Sequence, residues 1–114
     1  MASLPNYLRP NRKRLTLSQQ EVAFLLGGMG EEKGSKVSRD ESFSRDPGLR
    51  AALAYELIYG KPVRELFAGL YEQVEREVAE RAKILSHRTV ESFPKREETF
   101  INLVSKLRSK KYES

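Results

Sequence analysis

The chain has 114 residues, 39% of them hydrophobic and 32% charged, with a net charge of +5 and no cysteine. That length and composition suit one small domain, or one domain with a helical appendage, around a single modest core. Disulfides and thiolate metal sites are excluded, and no apolar run approaches the roughly 18 residues a membrane span requires. The opening Met-Ala-Ser-Leu-Pro lacks a basic segment followed by an apolar one, so a cytoplasmic location is expected.

The positive charge gathers at the two ends. Residues 1–20 carry Arg9, Arg12, Lys13 and Arg14 against no acids. Residues 48–82 hold five bases against six acids, and residues 83–114 eight bases against four acids. Basic ends around a near-neutral middle suit a polyanionic partner, although a solvated basic surface has the same composition.

Tyr7 to Arg14 reads as a first helix with Tyr7, Leu8 and Leu15 towards the core. Pro10 requires that this helix start near residue 10 or kink there, because proline lacks the N–H and disfavours helix just before it. Ser18 and Glu21 have the spacing of a capping box ahead of Val22, Ala23, Leu25 and Leu26. A second helix is therefore expected from about Gln19 to Leu26, stopped by Gly27-Gly28. Gln19 lies on its first turn, where outward N–H groups and the helix dipole favour an anion such as phosphate. After a glycine-rich loop to Gly34, a short third helix spans about Ser35 to Ser42, with Val37 as its apolar anchor.

Asp46-Pro47 opens the next segment, in which Leu49, Ala52, Leu53 and Leu57 recur at helical spacing through Ile58. Gly60 ends that helix and Pro62 begins another. Leu66, Leu70, Val74, Val78, Ala82 and Leu85 form one face of a long helix, flanked by Glu72, Glu75, Arg76, Glu80 and Arg81. Phe93-Pro94 breaks it at the latest, and Phe100, Leu103, Val104 and Leu107 mark a last amphipathic helix. No strand alternation or internal repeat is present. The expected class is all-α.

Little in the chain points to catalysis. His87 is the only histidine, too few with no cysteine to build a transition-metal site. The Gly27–Gly34 loop follows a helix rather than a strand and matches no phosphate-binding glycine pattern. Glu72, Glu75, Glu77 and Glu80 read as a solvated helix face. No serine or threonine has a recognisable base and orienting partner, so no enzymatic activity, cofactor or metal is expected.

Several motifs together resemble one family. Leu8-Arg9-x-x-Arg12, Leu17-Ser18-Gln19, Glu21-Val22-Ala23, Val37-Ser38-Arg39-x-Glu41 and Pro47-x-Leu49 are similar to the lambda-repressor/Cro-like (XRE-type) helix-turn-helix domains. Ala52-Leu53, Gly60-Lys61-Pro62-Val63 and Glu65-Leu66-Phe67 look like that family's fourth and fifth helices. The resemblance covers about residues 6–70 and leaves 71–110 as a helical extension, for dimerisation or for binding a partner protein.

The resemblance implies a five-helix domain that binds double-stranded DNA as a homodimeric transcriptional regulator, a repressor, with its third helix in the major groove. Ser35, Lys36, Ser38 and Arg39 would then meet base edges, while Gln19 and Arg45 would hold phosphates. Arg12 would pair with Glu41, clamping helix 3 to helix 1 and approaching the DNA backbone. Asp40 stands where the family often has an aromatic residue, and it is expected to face DNA and accept from cytosine N4. Were it inward, or paired with Lys36, it would be neutral towards DNA. Phe43 replaces the glycine that usually ends the third helix, and the loop before that helix is longer than usual. The alternative, of another class, is an antitoxin-like or adaptor module that binds protein and has weakened DNA binding.

Overall fold

The computed structural model describes residues 3–27, 34–88 and 98–105, and every regular element among them is helical. The elements run α1 Leu8–Arg14, α2 Gln19–Leu25, α3 Ser35–Glu41, α4 Leu49–Tyr59, α5 Val63–Leu66 and α6 Ala68–Arg88, with helix again at 98–105. The chain divides into two units, Met1–Tyr71 and Glu72–Ser114. None of these helices is long and apolar enough to cross a membrane.

Local chemistry explains the first three helices. Pro10 is the third residue of α1, where a backbone N–H has no intrahelical partner to lose, so the helix needs no kink. The capping box of α2 is complete, with Glu21 N donating to Ser18 Oγ at 3.0 Å and Ser18 N to Glu21 Oε1 at 2.8 Å. α1 and α3 end alike. Thr16 and Phe43 take left-handed φ values of 58° and 66°, while the residues after them, Leu17 and Ser44, donate back to the Arg12 and Arg39 carbonyls at 3.1 Å. Glycine normally fills such positions, and an L-residue there costs about 1–2 kcal/mol.

The fourth helix differs from its sequence pattern. Its core face is Tyr55 and Tyr59, stacked at 5.8 Å, with the Phe67 ring edge-on to Tyr55 at 6.3 Å. Leu49, Leu53 and Leu57 point outward, 75%, 49% and 83% exposed. Of the residues that recur at helical spacing, only Ala52 and Ile58 pack against the core. Tyrosine can be buried when its hydroxyl meets an acceptor, and Asp40 supplies one for Tyr55. The helix also starts at Leu49 rather than at Pro47.

The long helix expected from Pro62 onward is interrupted. α5 is one turn whose first N–H, on Val63, donates to Glu56 Oε1 at 2.8 Å. Phe67 leaves helical geometry, and α6 begins afresh at Ala68. The reason lies at the other end of the chain. Gly69 N and Leu70 N donate to the carbonyls of Leu4 and Pro5, and Tyr7 N donates to Leu66 O. The N-terminal segment thus satisfies the orphan donors that open α6. It crosses so closely that a Cβ on Gly69 would collide with the Leu4 carbonyl.

Leu8, Val22, Ala23, Val37, Tyr55, Tyr59, Leu66 and Phe67 form the core of the first unit, with Leu15, Leu17 and Ile58 packed against it. In the second unit Ala82 is buried, while Val74, Val78 and Leu85 are 37–45% exposed. Phe100, Leu103 and Val104 are half-buried; Leu107 and Phe93-Pro94 lie outside the described residues.

Candidate nucleic-acid interface

α3 is only seven residues long, and its sequence splits cleanly into two faces. Val37, Asp40 and Glu41, at the three- and four-residue spacing of one helix side, are buried. Ser35, Ser38 and Arg39 are exposed and Lys36 is half-buried. Gly34 begins the helix at φ 69°, and a Cβ there would come within 2.8 Å of the Gln19 Cβ and 2.9 Å of its carbonyl carbon. Only glycine allows α3 to approach the start of α2 this closely.

Both acids of α3 are turned inward and held by cations. Arg12 Nε donates to Glu41 Oε2 at 2.6 Å and its Nη2 to Oε1 at 3.2 Å, a two-pronged pair. The same guanidinium donates to Leu17 O at 3.0 Å, and Gln19 Nε2 donates to Glu41 Oε1 at 3.1 Å. One carboxylate therefore joins α1, α2 and α3. Hydrogen bonding to Glu41 holds Arg12 protonated even more firmly than usual.

Asp40 corrects an expectation. It is fully buried, and it accepts from Tyr55 OH at 2.8 Å and from Arg45 Nε at 3.0 Å. It neither faces outward nor pairs with Lys36. The spacing already contained this result, because a residue three beyond the Val37 anchor shares its helix side. Burial, and then the hydrogen bond to Asp40, push the Tyr55 phenol well above its usual range. Asn6, also buried, completes the bracket by donating to the Asp40 carbonyl at 2.9 Å and accepting from Leu8 N at 3.1 Å. Neither Tyr55 nor Asn6 stands out in the sequence as a supporting residue.

No family model matches this chain, and neither the curated proteins nor the solved structures contain a match. The chemistry must be read from the geometry.

α3 carries Lys36 and Arg39 against Asp40 and Glu41, a formal balance of zero. With both acids buried and paired, its outward charge is positive. Gln19 lies against α3, its amide spent on Glu41 rather than directed outward. Arg45 is bound to Asp40 yet 41% exposed along its side chain, so it belongs first to the scaffold. Arg14, at the end of α1, donates to the Tyr59 carbonyl at 2.8 Å and so closes α4, a favourable place for a cation. His87 is exposed, and no group of three metal-binding side chains occurs among the described residues.

Proposed function

We propose that the protein is a sequence-specific double-stranded DNA-binding transcriptional regulator, a repressor of the lambda-repressor/Cro-like helix-turn-helix type, acting without cofactor or catalysis. One observation carries the reading. A seven-residue helix is fastened by both of its carboxylates to the scaffold behind it, and it turns Ser38, Arg39 and the half-buried Lys36 away from that scaffold. A recognition helix needs that arrangement, with a fixed position and an outward set of donors and acceptors.

In this reading Arg39 and Lys36 donate to guanine O6 and N7, and Ser35 and Ser38 meet base edges. Arg12, Gln19, Glu41 and Asp40 position the helix, and Arg45 reaches a phosphate with the part of its guanidinium that Asp40 leaves uncovered. The partly exposed face of α6, Val74, Val78 and Leu85, supports self-association into a homodimer, which makes the second half-site contact intramolecular. The leucine stripe of α4 favours the second reading, a protein-interaction module, because it exposes apolar surface away from α3.

Fluorescence anisotropy with duplexes chosen by selection from random DNA tests the proposal. Binding should weaken steeply with salt. Arg39→Ala should cost about 1–3 kcal/mol and relax preference at one base pair. Gln19→Ala should weaken all sequences alike, since its amide acts on the placement of α3 through Glu41 and meets no base. A chain that binds no duplex but forms a stable complex with another protein would establish the second reading instead.

A further inference from the structure

We propose that Phe43 is a reading residue, an apolar contact for the C5-methyl group of a thymine beside the bases that α3 meets. The inference rests on the DNA-binding reading above and names one element of its specificity. The outer side of α3 offers hydroxyls, an ammonium and a guanidinium, which address hydrogen-bonding groups on base edges. None of these recognises the thymine methyl, the apolar feature that distinguishes that base in the major groove.

Phe43 fills this gap. It directly follows the C-terminal cap of α3 and is 46% exposed, the only large apolar side chain exposed between residues 34 and 48. Seven residues of helix extend only about 10 Å, roughly three base-pair steps, so a residue at its end remains within the groove's reach.

The backbone supports the same assignment. Phe43 sits at φ 66°, where glycine would meet no steric penalty and an L-aromatic does. A strained conformation persists only where its surroundings impose it. Here the surroundings do impose it. Ser42 N, Phe43 N and Ser44 N donate to the carbonyls of Ser38, Asp40 and Arg39, and Arg45 is fastened to the buried Asp40. The ring is thus presented from a fixed platform, which lowers the ordering cost of contact. Phe24, 82% exposed within regular α2, has no such platform or strain.

The experiment uses the full chain and its selected duplex, with each thymine replaced in turn by deoxyuracil, which removes only the methyl group. Wild type should lose about fourfold in affinity at one position, the worth of one buried methyl. Phe43→Gly, which adopts the same backbone without strain, should bind the thymine and uracil duplexes equally. Phe43→Leu should keep part of the discrimination. Two results would overturn the inference: a wild type that binds DNA but ignores every thymine-to-uracil change, or a Phe43→Gly variant that keeps the wild-type sensitivity. A selected motif without thymine would overturn it as well. Failure to bind any duplex is a different result, and it removes the DNA reading and this inference together.

Discussion

Among the described residues, the side-chain bonds of Met1–Tyr71 differ in reach from those along α6 beyond Tyr71. In Met1–Tyr71, buried or part-buried hydrogen bonds join residues far apart in sequence: Arg12 to Glu41, Gln19 to Glu41, Asn6 to Asp40 and Arg14 to Tyr59. In Glu72–Ser114, two side-chain bonds along α6 lie within one turn, Gln73 to Glu77 at 3.4 Å and Ser86 to the Lys83 carbonyl at 2.8 Å. Long-range bonds select one arrangement of helices, because each excludes alternatives that leave a buried group unpaired. Bonds within a turn stabilise a helix and leave its partner unspecified. The first unit therefore has the means to hold a surface in a defined geometry, which a reading helix requires.

The largest expected effect tests this contrast directly. Glu41→Ala strands Arg12 in a site where its side chain is only 12% exposed, and it should cost about 3–5 kcal/mol in urea unfolding. The Arg12→Ala/Glu41→Ala pair should lose less than the sum of the single changes, with a coupling of about 0.5–3 kcal/mol. Simple additivity would show that the clamp does not link the helices.

Alkaline pH offers a second test. Burial pushes both Tyr55 and Tyr59 above their usual range. Above about pH 10 the unfolded chain loses these protons while the folded chain keeps them. Stability should therefore be level through neutral pH and fall as pH rises past 10, by up to about 1.4 kcal/mol per unit for each ring. Tyr59→Phe should halve that slope, measured by denaturant unfolding at a series of pH values. Because the buried Tyr59 hydroxyl has no hydrogen-bond partner among the described residues, the same change should leave stability at neutral pH intact or slightly raised.

Asp40→Asn should cost about 1–3 kcal/mol, since it weakens two charge-assisted bonds in a buried site. In the DNA-binding reading proposed above, the selected motif should remain the same, because this side chain is on the buried side of α3. A changed base preference without lost stability would return Asp40 to the interface. At the far end of the scale, Glu77→Ala removes only a long bond within α6 and should alter stability by less than about 0.5 kcal/mol. A cost comparable to that of Glu41→Ala would erase the distinction between the two units.

Features under short-range chemical control were legible from the residues. The all-helical class, the Ser18–Glu21 box, the stop at Gly27 and the inward anchor Val37 each depend on residues within a turn of one another. The Arg12–Glu41 pairing came from a resemblance rather than from spacing, since 29 positions separate the two residues. The fold decided which face of α4 is buried, because leucine and tyrosine stripes lie on the same helix and it is the tyrosine face that meets Phe67 and Asp40. It also decided that α5 and α6 are separate helices, because Leu4 and Pro5, more than sixty residues upstream, supply the carbonyls on which α6 begins. Asp40 shows the boundary most clearly. Its position fixed the side of α3 on which it stands, but whether a carboxylate there is exposed or buried depended on a tyrosine and an arginine brought to it by the fold.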